Sequence, residues 1–242
     1  MLAVIAYANA WPNALVFDDR FFVTQARFSD LGWADFGRFF REDLWAAQGA
    51  DSGLYRPLFV SVIALQRLLF GDWASGFHLV NIGLHAAVTV LVYRLVDQLL
   101  LARAAMGPWR AESAFLAAAV FAVHPVHAEA VNSIFNSSEL WVSLGVIGSL
   151  WFLLKKVAAQ PLLAWSVVGS IYLASLFVRE SAIVLPALAL TLVWLFTPGG
   201  WRPRVRRSWP ALLLVLPLAL YLGMRMSALG GAAISGVRSP AE

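Results

Sequence analysis

WASGFHLVNIGLHAAVTVLVY, residues Trp73 to Tyr93, contains no Asp, Glu, Lys or Arg, yet it carries His78, Asn81 and His85. An uncharged stretch of this length predicts a helix crossing a hydrocarbon core of about 30 Å, which takes roughly 20 residues. The three polar residues fall at i, i+3 and i+7, so they share one helix face. That face cannot point comfortably at lipid, and polar groups at membrane depth tend to face a partner or a substrate.

Six further charge-free stretches accompany this one: 1–17, 113–128, 140–154, 157–178, 181–201 and 208–224. Of the 242 residues, 60% are hydrophobic and 13% charged, a balance foreign to soluble domains. The reading is an all-α, polytopic membrane helical bundle of about seven transmembrane helices, forming a single domain over 1–242. There is no cysteine, so neither a disulfide framework nor a thiolate metal site is available. The net charge of +4 does not point to nucleic acid, because the basic residues lie in short loops between apolar stretches. Stretch 1–17 reads as a short first transmembrane helix. Together with the C-terminal Ser239–Glu242, it suggests a fragment of a longer protein.

Cytoplasmic loops carry an excess of Lys and Arg, which gives the orientation. Arg103–Arg110, Lys155-Lys156 and Trp201–Arg207 fall at every second crossing and are placed inside. Left outside are Asp18-Asp19, segment 20–76, His124–Glu139 and Arg179-Glu180. Within 20–76, residues 28–47 alternate aromatic and charged side chains as an interfacial amphipathic helix does. A turn over Gly49–Gly53 follows, and Leu58–Phe70 is too short for a full crossing.

Each outer polar group admits two readings. Asp18-Asp19 caps the next helix, or serves as the general base that sugar transfer to a hydroxyl requires. Arg56, in Tyr55-Arg56-Pro57, is a snorkelling anchor or a planar fork for a phosphate. His78 and Asn81 lie near the outer mouth as substrate contacts, while the deeper His85 reads as structural. His124, His127 and Glu129, with His78, reach a zinc ligand count. Pro125 breaks the helix between them, however, and donation to an anionic head group needs no ion, so no metal is expected. Glu139 and Arg179-Glu180 place ionisable groups at span ends, where pairing of Arg179 with Glu139 or Glu180 is a sufficient structural account. The joint delivery of these groups to one side, from five separate segments, is what points to function.

Val16-Phe17-Asp18-Asp19, Tyr55-Arg56-Pro57-Leu58, Gly76-Phe77-His78-Leu79-Val80-Asn81 with His85, Val123-His124-Pro125-Val126-His127-Ala128-Glu129-Ala130-Val131, and Arg179-Glu180-Ser181 followed by Pro186 occur in that order. This series resembles the transmembrane and tetratricopeptide-repeat O-mannosyltransferases and their bacterial relatives, over most of residues 12–190. The resemblance implies a GT-C glycosyltransferase fold and inverting, metal-independent transfer without a cofactor. The donor it implies is a polyprenyl- or dolichyl-phosphate-linked sugar, with mannose expected, and the acceptor a protein or glycan hydroxyl. By the same resemblance Asp18 and Asp19 match the acidic pair that supplies the base. His124, His127, Glu129 and Glu139 match the second external loop, and Arg179-Glu180 a usual Lys-Glu. The family commonly carries Arg where this chain has Asn136, and no tetratricopeptide repeats follow.

Two rival classes are a lipid or sugar transporter and a non-catalytic assembly subunit. A transporter places polar groups near the bilayer midplane, often on interrupted helices. Here 162–178 and 182–198 offer only Ser170, Ser175 and Thr191. An assembly subunit would use the outer polar cluster to bind a partner protein.

Overall fold

The computed structural model describes residues 1–28, 31–49, 52–103 and 106–230. Among these, all regular structure is helical: α1 (Leu2–Ala6), α2 (Asp18–Val23), α3 (Trp33–Phe39), α4 (Pro57–Phe70), α5 (Ala74–Ala102), α6 (Arg110–Val123), α7 (Ala128–Asn132), α8 (Ser138–Lys156), α9 (Pro161–Val178), α10 (Leu185–Phe196), α11 (Trp201–Ser208) and α12 (Val215–Ala228), with short 3₁₀ turns between. Residues 29–30 of the expected interfacial helix, 50–51 of the expected turn, 104–105 of the first basic loop and Ser239–Glu242 lie outside the described residues.

Among the described residues four helices are long and apolar enough to cross a membrane: Ala74–Ala102, Phe135–Lys156, Pro161–Val178 and Trp201–Ala228. A fifth is counted if Gly107–Val123 and Pro125–Asn132, which meet at a 48° bend, form one broken span. Pro125 causes the bend, since it has no amide to extend the ladder and drives His124 to φ −67°, ψ 127°. The expected count of about seven spans is not confirmed among the described residues, for two reasons. Stretch 1–17 yields only the five-residue α1 and a turn over Ala8–Ala10, about 8 Å of helix, before Pro12 interrupts it. Glu180–Phe196 is apolar but shorter than a full span.

Helix α9 is the hub, with half of its apolar window inside the protein. Trp165 and Tyr172 are fully buried there, and α9 packs against α8, α4 and α12. Small residues permit the α8–α9 contact, as is usual where lipid leaves no hydrophobic drive between helices. A Cβ added at Gly145 would collide with the Ser175 hydroxyl. On the other side of α8, α5 packs against α8 and α6.

The expected amphipathic helix over 28–47 is a correction. Among the described residues of this segment only Trp33–Phe39 is α-helical, and Phe28, Phe39 and Leu44 join Phe22, Tyr55 and Phe59 in the protein core. The buried Asp43 carboxylate ends the helical path by accepting from the Trp45 amide (2.8 Å), the Ser52 hydroxyl (2.8 Å) and the Leu54 amide (3.2 Å). Such side-chain bonds offer the backbone an alternative to helix. Arg27 closes the knot: its guanidinium lies 5.3 to 6.0 Å from the Phe28, Phe39 and Phe22 ring centres and donates to the Leu44 carbonyl at 2.6 Å. Burial pulls Arg27 down to about 10. A second difference is the basic segment Trp201–Arg207, expected as a loop, which is helical and continues into the last span.

Candidate active site

The chain enters α2 through Phe17, an exposed residue at φ 47°, ψ −127°, a conformation that costs a non-glycine residue strain. This turn sends the two neighbouring carboxylates to different environments. Asp19 is 2% exposed, and it accepts from the Ser133 hydroxyl (2.9 Å) and Phe135 amide (2.8 Å) on Oδ1 and from the Ile134 amide (2.9 Å) on Oδ2. Asp18 stays exposed beside it.

Both acids line a cavity of about 380 Å³, with Val16, Phe17, Glu129, Asn132 and Asn136 among its walls. Glu129 accepts from the Asn136 amide group at 3.0 Å, and the Ser133 hydroxyl also accepts from the Asn136 backbone amide at 3.1 Å. The cavity therefore holds the Asp19 carboxylate occupied by three donors, Glu129 bonded to Asn136, and the exposed Asp18.

The polar face of α5 supports this loop from behind. Asn81 donates to the Val131 and Ser133 carbonyls, each at 3.1 Å, and His85 bonds the Ala122 carbonyl at 3.0 Å. Asn81 thus shapes the cavity wall without lining it. His78, 1% exposed, lies within reach of the Asp19 charge and the Asn13 backbone, and neither of its ring nitrogens has a hydrogen-bond partner among the described residues.

The twin-histidine turn points elsewhere. His124 caps its own turn by accepting from the Val126 amide at 3.2 Å, and its carbonyl accepts from the Tyr7 hydroxyl at 3.0 Å. His127 packs on Phe121, with ring centres 4.2 Å apart, and on His85 at 5.3 Å. Neither histidine lines the Asp18 cavity. Among the described residues no three His, Asp or Glu side chains are grouped so as to hold a metal ion.

Two ion pairs continue the polar chain beyond Asn136. Arg179 reaches Glu139 at 2.9 Å and the Ser138 hydroxyl at 2.9 Å, and Ser181 donates to Glu139 at 3.3 Å. Arg56, its side chain 5% exposed, grips Glu180 through two bonds of 3.0 and 2.6 Å. Its neighbour Tyr55 donates to the Phe40 carbonyl at 2.9 Å, and burial, helped by Tyr221, pushes that phenol up to about 12. Burial opposes ionisation of Glu180, but the bonds and charge of Arg56, with Arg179 near, hold it below the usual carboxylate range. Each arginine is thereby matched by a carboxylate that is about two-fifths exposed.

Residues 133–139 thus connect the two groups: Asp19 holds one end and Arg179 the other. Ser133 and Asn132 escaped the sequence reading. The Ser133-x-x-Asn136 spacing, typical of a side-chain-capped turn, was the available signal for Ser133; for Asn132 there was none.

No family model and no solved structure matches the chain. Among curated proteins it is similar to the protein O-mannosyl-transferase Tmtc2 of Drosophila melanogaster, 36% identical over 143 residues, covering 57% of this chain and 14% of that protein. It is 31% identical to mouse protein O-mannosyl-transferase TMTC1 over 67% of the chain and 17% of the relative. To human protein O-mannosyl-transferase TMTC2 it is 29% identical over 82% of the chain and 23% of the relative. The chain thus spans less than a quarter of the length of these relatives. Over the matched part, it belongs with the TMTC family of protein O-mannosyl-transferases.

Proposed function

We propose that this chain carries the catalytic acid–base site of a membrane glycosyltransferase of GT-C type. In this reading it transfers mannose from a polyprenyl- or dolichyl-phosphate donor to an acceptor hydroxyl on the non-cytoplasmic face. The names of the relatives support the reaction class. The observation that carries the site is the division of labour in the acidic pair: Asp19 is spent on three hydrogen bonds, whereas Asp18 is exposed in the same cavity.

The Asp19 carboxylate is occupied by a hydroxyl and two amides of the 133–135 loop, which leaves the exposed Asp18 to meet an incoming hydroxyl. Asp18 is therefore the base and Asp19 the positioning residue. Asp18 takes the proton of the acceptor hydroxyl as its oxygen bonds to the anomeric carbon. The bond from that carbon to the phosphate oxygen breaks, its electron pair leaves with the phosphate, and configuration inverts.

Charge gathering on the departing phosphate needs fixed donors. Arg56 and Arg179 are the candidates, with their carboxylates half turned to solvent, and the unpartnered His78 stands behind Asp19. The test is transfer of labelled mannose from a polyprenyl-phosphate donor by purified Asp18→Asn and Asp19→Asn proteins, with folding monitored in parallel. Loss of about 100-fold or more in Asp18→Asn, with unchanged folding, supports the assignment.

A further inference from the structure

Helix α10 and the helix Trp201–Ala228 leave an apolar groove of about 450 Å³ between them, lined by Leu190, Trp194, Val205, Trp209, Leu212 and Val215 among others. One end is strongly basic. Arg202, Arg204, Arg206 and Arg207 lie on the single helix α11, and Arg103 stacks over Phe196, the last residue of α10, at 4.7 Å. Arg204 lies 5.9 Å from the centre of the Trp194 ring, which forms part of the groove wall.

Among the described residues none of these five arginines has a carboxylate partner; the ion pairs all involve other cations. Their hydrogen bonds are long and go to neutral oxygens: Arg204 to the Thr197 carbonyl and Arg207 to its hydroxyl, both at 3.5 Å, and Arg103 to the Leu195 carbonyl at 3.4 Å. The Ser208 hydroxyl, at the same end of the groove, is buried without a partner among the described residues.

An uncompensated cluster of arginines beside a hydrocarbon-lined slot calls for an amphiphile with an anionic head. We propose that the groove binds an anionic glycerophospholipid, its phosphate held by Arg204, Arg207 and Ser208 and one acyl chain lying along Trp194, Trp209 and Leu212. Basic clusters at the end of a membrane helix attract anionic lipid head groups. The site is separate from the proposed donor site. Arg179 and Glu180 precede α10, and α10 alone, at 12 residues, puts about 18 Å between its ends.

The full chain is placed in phosphatidylcholine nanodiscs containing a fixed minor fraction of lipid with brominated acyl chains, either phosphatidylglycerol or phosphatidylcholine. Quenching of Trp209 is read as the difference between wild type and Trp209→Phe. Brominated phosphatidylglycerol should quench about fivefold more effectively than brominated phosphatidylcholine, the equivalent of roughly 1 kcal/mol. Arg204→Gln with Arg207→Gln should remove that preference. Val215→Phe, which fills the groove and keeps every arginine, should lower quenching by phosphatidylglycerol and covers the case in which the arginine variant misfolds. Equal quenching by the two lipids, an unchanged preference in the arginine variant, or full quenching in Val215→Phe overturns the proposal. So does displacement of phosphatidylglycerol by equimolar polyprenyl phosphate, or a lipid-free dimer by native mass spectrometry. Mannose transfer is not read in any arm, so failure here leaves the transferase reading separately testable.

Discussion

The carboxylate of Asp19 receives the Ser133 hydroxyl at 2.9 Å, tying the first turn of α2 to a loop 114 residues further along the chain. With the Ile134 and Phe135 amides on the same carboxylate, this contact decides the shape of the cavity in which Asp18 stands.

Replacing Asp19 by Ala leaves two buried backbone amides and a hydroxyl without their acceptor. Hydrogen bonds to a charged group contribute about 1.5 to 3 kcal/mol each, partly offset by water entering the cavity, so a loss of about 2 to 4 kcal/mol is expected. Thermal unfolding in detergent, with proteolysis at 133–136 as a local readout, measures it. Asp18→Ala should leave both readouts at wild-type values.

Arg56 and Glu180 should be energetically coupled. Glu180 is 41% exposed, so solvent screens the pair, and a double-mutant cycle with Ala should give a coupling of about 1 to 2 kcal/mol. Arg56→Lys should recover less than half of it, because an ammonium cannot make the two-bonded fork. A coupling near zero would show that the pair is incidental.

The lowered pKa of Glu180 fixes the sign of a pH effect. Its folded form holds the proton less tightly than the unfolded chain, so its contribution to stability is present above its ordinary value of 4.5 and is lost as pH falls through the lower folded value. Wild type should therefore lose stability below pH 4.5 more steeply than Glu180→Gln. Unfolding midpoints measured across that range provide the comparison.

Gly145→Leu should loosen the α8–α9 contact, with an overpacking cost of about 1 to 3 kcal/mol. Gly145→Ala collides chiefly with the Ser175 hydroxyl, the next neighbours standing at 3.4 and 3.6 Å, so Ser175→Ala should suppress most of its defect. Unfolding midpoints of the single and double variants decide it.

Much of this architecture was readable from residue chemistry. The charge-free runs at 73–93, 140–154 and 157–178 became α5, α8 and α9, since an apolar stretch of that length has few alternatives to helix. The pairing of Arg179 with Glu139 was one of two pairings expected and is the one found. Which of two adjacent aspartates is free could not be read, because that depends on the backbone at Phe17 and on backbone amides at 134–135 that almost any residue would supply. The Arg56–Glu180 pair, 124 positions apart, and the stacking of His127 on Phe121 likewise depend on which helices become neighbours. The 28–47 segment misled because its aromatic alternation suits a membrane surface and a protein core equally well.

The central claim is that Asp18 removes the acceptor proton while Asp19 only shapes the site. Its most direct measurement is the rate of mannose transfer from a polyprenyl-phosphate donor in wild type, Asp18→Asn and Asp19→Asn, each checked for folding. The account predicts a loss of about 100-fold in Asp18→Asn with folding unchanged, and in Asp19→Asn a smaller loss that follows its loss of stability. Transfer by Asp18→Asn at the wild-type rate would contradict it.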